Sequence, residues 1–393
     1  MNDEEYMAIA LKLAEGTTGQ TSPNPVVGAI VVKENQIVGI GAHLKAGTPH
    51  AEVHAIQMAG SNSKGGTLYV TLEPCDHFGK TSPCSEIVIN SGITKVFVAT
   101  MDPNPKVAGK GIEKIRGAGI EVEVGLLEQE AKEQNKFYIH NISKKYPYIT
   151  LKSATSLDGK IATTTGESKW ISGELAREDV HKLRHEHDAI LVGINTILKD
   201  DPSLTTRLRN GGKSPIRIIL DTHLRIPKDA RVISDQEAPT WVITGTDIDE
   251  KKKQLLEHAG IKILNIKKTK IEIKELLEIL WEADIRSLLV EGGAAVNASF
   301  LNAQLFQQVI VYLAPKLIGG KVAPTSFAGE GIEKINDAIP LKIKSVQKIG
   351  DDLKVIAIPD LHLSCKFCKT CRNVNGCSIS STSKFAMNTT HYW

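Results

Sequence analysis

The sequence predicts an α/β protein with two successive domains and a C-terminal tail. Residues 1–145 alternate helix and strand signals in the order of a three-layer α/β sandwich, and residues 146–360 repeat the alternation in a second α/β domain. Between them, Lys144-Lys145-Tyr146-Pro147 breaks the periodicity and marks the boundary. Residues 361–393 are rich in Ser, Thr, Asn and Cys without periodicity, which predicts a disordered tail.

The first domain is predicted to begin with an amphipathic helix whose apolar face carries Tyr6, Ile9, Ala10 and Leu13. Two apolar, β-branched runs at 25–33 and 36–42 then pair as strands across a short turn. The remaining elements follow in order: helix 50–59, strand 67–72, a helix from 83, strand 95–100, a helix from about 109, strand 120–124 and a long helix 126–142.

The second domain continues the alternation without a repeat of fixed period. Its first strands are predicted at 148–152, 189–192, 216–221, 240–244 and 287–291. Helices are predicted at 174–186, 250–259, 272–282 and 294–302. Two later strands, at 308–313 and 353–358, complete the domain.

Composition predicts a soluble protein with ordinary cores, since 41% of residues are hydrophobic and 24% are charged. A cytoplasmic location is expected from the N-terminal segment. No apolar run reaches the roughly 18 residues that a membrane-spanning helix needs, so we expect no membrane partner. The N-terminal segment is acidic and lacks the basic start and apolar centre of a signal peptide.

The distribution of charge argues against a nucleic-acid partner. The net charge is +3, but the tail holds four Lys or Arg residues and no acid, which leaves 44 basic and 45 acidic residues in the rest of the chain. Proteins that bind nucleic acid usually carry a basic face. A nearly neutral body gives no support for one.

The strongest motif is His50-Ala51-Glu52, followed by Pro74-Cys75 and then Cys84. A histidine and two cysteines are ligands that hold a catalytic zinc and leave a fourth position for water. Glu52 is placed to carry protons to and from that water. The order of these four residues is typical of zinc-dependent deaminases, and the alternative, a buried histidine with incidental cysteines, is much weaker.

The loop between the cysteines indicates the kind of substrate. Eight residues separate Cys75 from Cys84, whereas deaminases that act on nucleic acid carry P-C-x-x-C. This loop carries His77 and Lys80, cations that suit a small phosphorylated substrate, although a solvated loop lysine is the alternative. Asn24, on a proline-flanked turn, predicts either a polar substrate contact or plain turn chemistry.

The tail contains a second group of cysteines: Cys365, Cys368, Cys371 and Cys377. Their spacing is compatible with a metal site, but little apolar sequence is present to enclose an ion. We therefore expect one zinc per chain, at His50, Cys75 and Cys84.

In the second domain, a predicted strand runs through Glu291-Gly292-Gly293 into a helix. Such a turn lets a phosphate approach backbone N–H groups at a helix N-terminus. Taken alone, it is more often only a tight connection, and the G-x-G-x-x-G dinucleotide motif is absent. The residues by themselves leave nucleotide binding open.

Together these motifs resemble the bifunctional deaminase/reductase family of riboflavin biosynthesis over about residues 1–360. The resemblance rests on Ser22-Pro23-Asn24-Pro25-Val26-Val27-Gly28, the segment 50–55, Leu72-Glu73-Pro74-Cys75 with Cys84, and Asp102-Pro103-Asn104-Pro105. It implies a cytidine-deaminase-like sandwich followed by a dihydrofolate-reductase-like domain. It further implies zinc deamination of 2,5-diamino-6-ribosylamino-4(3H)-pyrimidinone 5′-phosphate and then NADPH reduction of the ribosyl side chain to ribityl.

The resemblance also implies roles for individual residues. In the deaminase, Asn24, His77, Lys80 and Asp102 would contact the substrate. In the reductase, the NADPH site would be lined by Ala154, Trp170, Thr196, Asp200, Gly293, Ala294, Ala295, Val296 and Asn297. The substrate would be faced by Lys152, Ser168, Arg184, Leu204, Arg207 and Glu291. The planar guanidinium groups of Arg184 and Arg207 can each donate two hydrogen bonds to a phosphate.

Two other functions remain as alternatives. A zinc deaminase acting on nucleic acid or a free nucleoside shares the chemistry, but the long loop, the near-neutral body and the second domain argue against it. A binding module with a structural zinc would have no use for Glu52 as a proton carrier. We expect a homo-oligomer, but the sequence does not give its size or show whether the intermediate passes directly between sites.

Overall fold

The computed structural model describes residues 1–77 and 83–360 of the chain. Within these residues the strands form two separate sheets, one of five strands and one of nine. The chain passes from one to the other through 144–147, the predicted boundary. The domain bounds 1–145 and 146–360 remain a prediction, and the predicted tail 361–393 lies outside the described residues. No helix in the described part is long and apolar enough to cross a membrane.

The first half contains a five-stranded sheet with helices on both faces. Its elements are α1 Asp3–Glu15, β1 Gly28–Lys33, β2 Gln36–Ala42, α2 Ala51–Ala59, β3 Thr67–Val70, α3 Cys84–Asn90, β4 Lys95–Val98, α4 Lys110–Gly117, β5 Glu121–Val124, α5 Glu128–Gln134 and α6 Lys136–Ser143. The strand order is β2-β1-β3-β4-β5, with β1 antiparallel to both neighbours and the last three strands parallel. Helices α1 and α5 cover one face and α2, α3 and α4 the other, which confirms the three-layer sandwich.

Helix α1 begins with a reciprocal cap. The Asn2 side chain accepts a hydrogen bond from the Glu5 backbone N–H at 2.9 Å, and the Glu5 carboxylate accepts one from the Asn2 N–H at 2.8 Å. Such a capping box satisfies two backbone donors that have no partner within the helix. The buried face is wider than the sequence predicts and consists of Tyr6, Met7, Ala10, Leu11 and Ala14.

The predicted long helix 126–142 is wrong in one respect, since it is interrupted at Asn135. The side chain of this buried residue accepts a hydrogen bond from the Val26 backbone N–H and donates one to the Val26 carbonyl, both at 2.9 Å. Its backbone departs from helical geometry, with ψ at 19°, and α6 starts immediately afterwards. The interruption therefore fastens the segment before β1 to the end of α5.

The second half is organised on the nine-stranded sheet. Its elements are β6 Tyr148–Ser156, α7 Glu174–Glu186, β7 Ala189–Gly193, α8 Ile194–Asp200, β8 Ile216–Leu220, α9 Arg231–Ser234, β9 Thr240–Thr244, α10 Glu250–His258, β10 Lys262–Asn265, α11 Ile273–Glu282, β11 Ser287–Val290, α12 Ala294–Ala303, β12 Gln308–Ala314, β13 Leu341–Ile349 and β14 Asp352–Pro359. The order is β10-β9-β8-β7-β11-β6-β12-β14-β13, and all neighbours are parallel except that β14 is antiparallel to both β12 and β13. The carboxyl ends of β6, β7 and β11 consequently lie on one edge.

Every strand and helix predicted for the second half is present with slightly different ends, but four elements were missed: α8, α9, β10 and β13. The first three are short. Strand β13 is long but lies at the sheet edge, where Ile343 is 62% and Val346 55% exposed. Because its structure depends on pairing with β14 rather than on burial, its sequence carries a weak periodic signal.

Candidate functional site

The three predicted zinc ligands lie together at the starts of two helices. His50 immediately precedes α2, Cys84 is the first residue of α3, and Cys75 lies in the segment after β3. The His50 Nδ1 atom is 3.2 Å from Cys84 Sγ and 3.6 Å from Cys75 Sγ, and the three ligand atoms lie within 4.8 Å of one another. Tetrahedral zinc, with Zn–S of about 2.3 Å and Zn–N of about 2.1 Å, separates such atoms by roughly 3.6 Å. These side chains therefore fit a zinc ion.

Contacts among the ligands favour the metal-binding form of one of the two cysteines. Hydrogen bonding with Cys84 lowers the pKa of Cys75 to about 4; burial opposes this shift and His50 adds to it. The same contact with Cys75, together with burial, raises the pKa of Cys84. The pair therefore holds one thiolate through its protein contacts alone, and thiolate is the zinc-binding form.

Glu52 lies in the first turn of α2 and is only 3% exposed. Its Oε2 atom is buried without a hydrogen-bond partner among the described residues. Burial raises the pKa of this carboxyl group to about 7. A buried oxygen without a hydrogen-bond partner costs free energy of folding, unless a ligand supplies that hydrogen bond. Its position beside the three ligand atoms thus fits a zinc centre that also holds water.

Close backbone approaches position the ligands. A Cβ atom on Gly41 would lie 2.1 Å from the Ala51 carbonyl oxygen, so glycine in β2 lets the first turn of α2 pack directly on the sheet. A Cβ atom on Gly111 would lie 1.9 Å from the carbonyl oxygen of Pro74, beside Cys75. Neither position has room for a side chain.

The buried carboxylate of Glu73 ties the ligand segment to the loop after β4 and to the first turn of α4. It accepts hydrogen bonds from four backbone N–H groups, at 3.2, 3.0, 3.1 and 3.4 Å, which belong to Asp102, Gly109, Gly111 and Ile112. Sequence reasoning did not assign a role to Glu73. The only local signal was its position next to Pro74-Cys75. Its hydrogen-bond partners lie 29 to 39 residues further along the chain.

A cavity of about 250 Å³ opens beside the metal ligands and brings together the predicted substrate residues Asn24, His77 and Asp102. The Asn24 Nδ2 group donates to Nε2 of His43 at 3.1 Å, while the opposite ring nitrogen of His43 contacts a backbone carbonyl. This arrangement leaves Asn24 Oδ1 as an acceptor for a substrate. Lys80, the fourth predicted residue, lies outside the described residues.

Among the other residues of this cavity, sequence reasoning also missed His43 and Tyr138. Burial lowers the pKa of His43, so its neutral ring can accept from Asn24. The Tyr138 hydroxyl donates to the Asp102 carboxylate at 2.9 Å, and burial raises the pKa of Asp102. Tyr138 comes from α6 at the far end of this half, so no local pattern connects it with the zinc motif.

A second cleft, of about 380 Å³, lies toward the carboxyl ends of β6 and β11. It collects nine of the residues predicted for the reductase: Lys152, Ala154, Ser168, Trp170, Arg184, Asp200, Arg207, Glu291 and Asn297. Folding thus assembles one cleft from segments widely separated in sequence.

A buried ion cluster centres on Glu291. Arg184 approaches it with Nε 2.8 Å from Oε1 and Nη2 3.1 Å from Oε2, and Lys152 Nζ is 3.4 Å from Oε2. Burial alone would raise the pKa of Glu291, but the charges of Arg184 and Lys152 outweigh it and hold that pKa at about 2. Because its guanidinium group is bound to the Glu291 carboxylate, Arg184 is not the free phosphate partner that the sequence suggested.

Arg207 keeps an exposed guanidinium in the same cleft. It donates to the Thr205 hydroxyl at 3.1 Å, and no carboxylate among the described residues forms an ion pair with it. Burial and the charge of Arg184 lower the pKa of Arg207, and burial with both arginines lowers the pKa of neighbouring His181 to about 4. The cleft is therefore electropositive near Arg207, which suits an anion.

The turn into α12 fits the phosphates of a dinucleotide. A Cβ atom on Gly293 would meet nothing within 4 Å, so the turn faces open space. The backbone N–H groups of Ala294 and Ala295 find no acceptor in the described part of the chain. The buried Asn297 Oδ1 is also unpaired there. Unpaired donors at a helix N-terminus suit a pyrophosphate.

Some predicted residues lie beside the cleft rather than in its lining. Gly292 lines the cleft, and it is followed directly by Gly293, Ala294, Ala295 and Val296. Thr196 is half-buried and lies on α8. Leu204 is 3% exposed and packs in an apolar cluster with Ile190 and Val192. Its side chain does not line the cleft, so the predicted substrate contact from Leu204 finds no support there.

Two family models match the chain in succession. Residues 1–100 match the cytidine and deoxycytidylate deaminase zinc-binding region, and residues 147–355 match the RibD C-terminal domain. The first match covers the zinc ligands, and the second covers most of the nine-stranded sheet. The predicted fold class of both halves is thereby confirmed.

Whole-chain relatives show the same arrangement. RibD of Bacillus amyloliquefaciens is 52% identical over 91% of this chain and 96% of its own length, and RibD of Escherichia coli is 40% identical over 90% and 98%. The solved deaminase/reductase of Thermotoga maritima is 38% identical with a TM-score of 0.81, covering 91% of this chain and 98% of its own. RibD of Acinetobacter baumannii gives the same identity and TM-score, over 91% and 99%. The chain therefore belongs to the RibD family and is a bifunctional enzyme of riboflavin biosynthesis, a zinc deaminase followed by an NADPH-dependent reductase.

Proposed function

We propose that Glu52 is the proton carrier of the deaminase, at a zinc held by His50, Cys75 and Cys84. The observation that supports this most strongly is its buried, unpaired Oε2 beside the three ligand atoms. When bound, zinc supplies an activated water molecule. Glu52 would take a proton from that water and deliver it to the ring nitrogen, and would then move the proton of the newly formed hydroxyl group to the departing amine. The carbon–nitrogen bond breaks, a carbonyl forms and ammonia leaves.

The substrate proposed for this centre is 2,5-diamino-6-ribosylamino-4(3H)-pyrimidinone 5′-phosphate. Asn24 would orient the pyrimidine, because its amide nitrogen is used by His43 and its oxygen can accept from a ring N–H or amino group. Asp102, bonded to Tyr138, would contact another polar edge of the substrate. His77 and Lys80 would attract the phosphate.

For the second half we propose reduction of the ribosyl side chain to ribityl. When bound, NADPH supplies the hydride, so the residues of the cleft bind and align the two reactants. Ala154, Trp170, Thr196, Asp200 and the 293–297 turn would hold the cofactor. Lys152, Ser168 and the Arg184–Glu291 pair would face the sugar, and Arg207 would bind the phosphate.

Arg207→Gln should raise the reductase KM for the phosphorylated intermediate about 10- to 100-fold, because a charge-assisted phosphate contact is lost. Steady-state NADPH oxidation measures this effect. Arg209→Gln is the matched control. The Arg209 side chain is 85% exposed, and its Nε atom lies 3.6 Å from Oε1 of Glu178. Equal effects from both variants, or an equal loss with the dephosphorylated intermediate, would show that Arg207 does not bind phosphate.

We expect one zinc per chain after dialysis, measured by metal analysis of the full chain and of a chain ending at residue 360. If the tail is disordered as the sequence predicts, a zinc ion bound by its cysteines would have to order that segment at roughly 1–2 kcal/mol per residue, although zinc–thiolate sites can offset such a cost. Two ions per chain, falling to one after truncation, would identify the tail as a metal site.

A homo-oligomer and a cytoplasmic location also remain proposals. The exposed apolar side chains of edge strand β13, Ile343 and Val346, support self-association, because such an edge is usually covered. The domain bounds 1–145 and 146–360 are proposed on the two separate sheets.

A further inference from the structure

The loop that carries Asn24 is fastened by the other half of the molecule. Ser22, two residues before Asn24, donates its hydroxyl to Asp188 Oδ2 at 3.0 Å. Asp188 precedes β7 of the nine-stranded sheet and is only 8% exposed. The Asp188 side chain of the reductase half thus contacts the loop that carries Asn24 into the deaminase cavity.

Asp188 is rigid independently of Ser22. Its Oδ2 atom also accepts hydrogen bonds from the backbone N–H groups of Arg286 at 3.0 Å and Ser287 at 3.1 Å, and its own N–H donates to the Ser287 hydroxyl at 2.9 Å. The carboxylate is therefore held between the starts of β7 and β11. It provides a fixed reference point for Ser22.

Displacement of Ser22 would be transmitted to Asn24. The Asn24 backbone N–H donates to the Thr21 carbonyl at 2.9 Å, and the Thr21 hydroxyl donates to the Asn24 carbonyl at 3.1 Å, so residues 21–24 form one tight turn. On the far side of Ser22, Gly19 packs so closely that a Cβ atom there would lie 2.3 Å from the His185 carbonyl oxygen. The segment 19–24 thus rests against the reductase half at two points, Gly19 and Ser22.

We propose that Asp188 is a positioning residue for deamination, which acts through Ser22 to hold Asn24 in the deaminase cavity. This inference rests on the proposed role of Asn24 as a substrate contact. It makes the reductase half a structural component of the deaminase centre, in addition to its own activity. The reductase cleft lies toward the opposite strand ends and does not depend on this contact.

The test uses the full-length, zinc-loaded enzyme. Ser22→Ala should raise the deaminase KM about three- to tenfold, the scale expected for one lost hydrogen bond, with a smaller change in kcat. Ser22→Thr keeps the hydroxyl and should restore most of the affinity. Zinc content and the reductase rate with the deaminated intermediate should remain unchanged.

Asn141→Ala is the matched control, because the Asn141 side chain donates to the Arg286 carbonyl at 3.2 Å and so links the same two halves without a hydrogen bond to the Asn24 turn. It should leave the deaminase KM unchanged. An increase equal to that of Ser22→Ala would attribute the effect to general docking of the halves and overturn the proposal.

A double variant separates this proposal from the role of Asn24 itself. Asn24→Ala alone should impair deamination, and adding Ser22→Ala should have no further effect if Ser22 acts through Asn24. A normal Ser22→Ala enzyme beside an impaired Asn24→Ala enzyme, or fully additive effects, would overturn the positioning role alone. A normal Asn24→Ala enzyme would overturn the proposed substrate contact and this inference with it.

Discussion

Glu52→Gln should lower the deaminase kcat by about two to four orders of magnitude, the usual contribution of a general acid and base. The change preserves the shape of a side chain that is only 3% exposed, and leaves His50, Cys75 and Cys84 in place. It removes the carboxyl group whose pKa burial raises to about 7, so proton uptake and release are both lost. Ammonia release measures the effect.

Two controls make this result specific. Zinc content should remain at one ion per chain, and NADPH oxidation with the deaminated intermediate should be unaffected, since the second cleft lies on a different sheet. Near-normal ammonia release from the variant would refute the assignment of Glu52. Loss of zinc together with activity would instead show that Glu52 supports the metal site.

Glu291→Gln should destabilise the second half by about 3–5 kcal/mol, because it leaves buried cations without their counter-charge. The Arg184 and Lys152 side chains are 12% and 13% exposed, so water cannot easily replace the carboxylate. Tryptophan fluorescence in urea reports this half selectively, since the chain's four tryptophans, Trp170, Trp241, Trp281 and Trp393, all follow residue 145.

The same group predicts a dependence on pH. The pKa of Glu291 is about 2 in the folded chain, below the ordinary value of about 4.3, so between these values the unfolded chain binds more protons. The stability from this cluster is therefore complete above pH of about 4.3 and is lost as pH falls toward 2, by about 3 kcal/mol. Glu291→Gln should remove this part of the acid sensitivity; an unchanged profile would contradict the depressed pKa.

Asp235→Asn is the matched control for function. Asp235 pairs at 2.7 Å with Arg217, which is 1% exposed, but neither residue lines the reductase cleft. It should destabilise the second half while the folded enzyme retains reductase turnover. Glu291→Gln should lose turnover as well as stability, so equal reductase rates in the two variants would remove Glu291 from the substrate side of the cleft.

Local chemistry in the sequence accounts for the parts that were predicted well. Alternating periodicity predicted the layers because a strand or helix must bury one face, and those patterns span only a few residues. The zinc ligands were recognisable because His50, Cys75 and Cys84 carry chemistry that few other residue types supply. Glu52 could be proposed as the proton carrier because it lies two residues after the ligand His50, in the first turn of the same helix.

The tertiary structure alone decided the contacts between distant segments. Asn135 interrupts a periodic helix because its amide finds the Val26 backbone, and no pattern within 126–142 encodes that partner. The sequence suggested that Arg184 is free to bind a phosphate, yet its guanidinium group is hydrogen-bonded to the carboxylate of Glu291.

The link from Asp188 to the Asn24 turn is of the same kind. The acceptor Asp188 and the donor Ser22 belong to different halves of the chain and are separated by 166 residues. Local propensity determines which faces are buried, whereas the packing of those faces determines which polar groups meet. The sequence motifs by themselves therefore predicted the zinc deaminase, and the family resemblance predicted the reductase. Only the folded chain showed that a residue of one half contacts the Asn24 turn of the other.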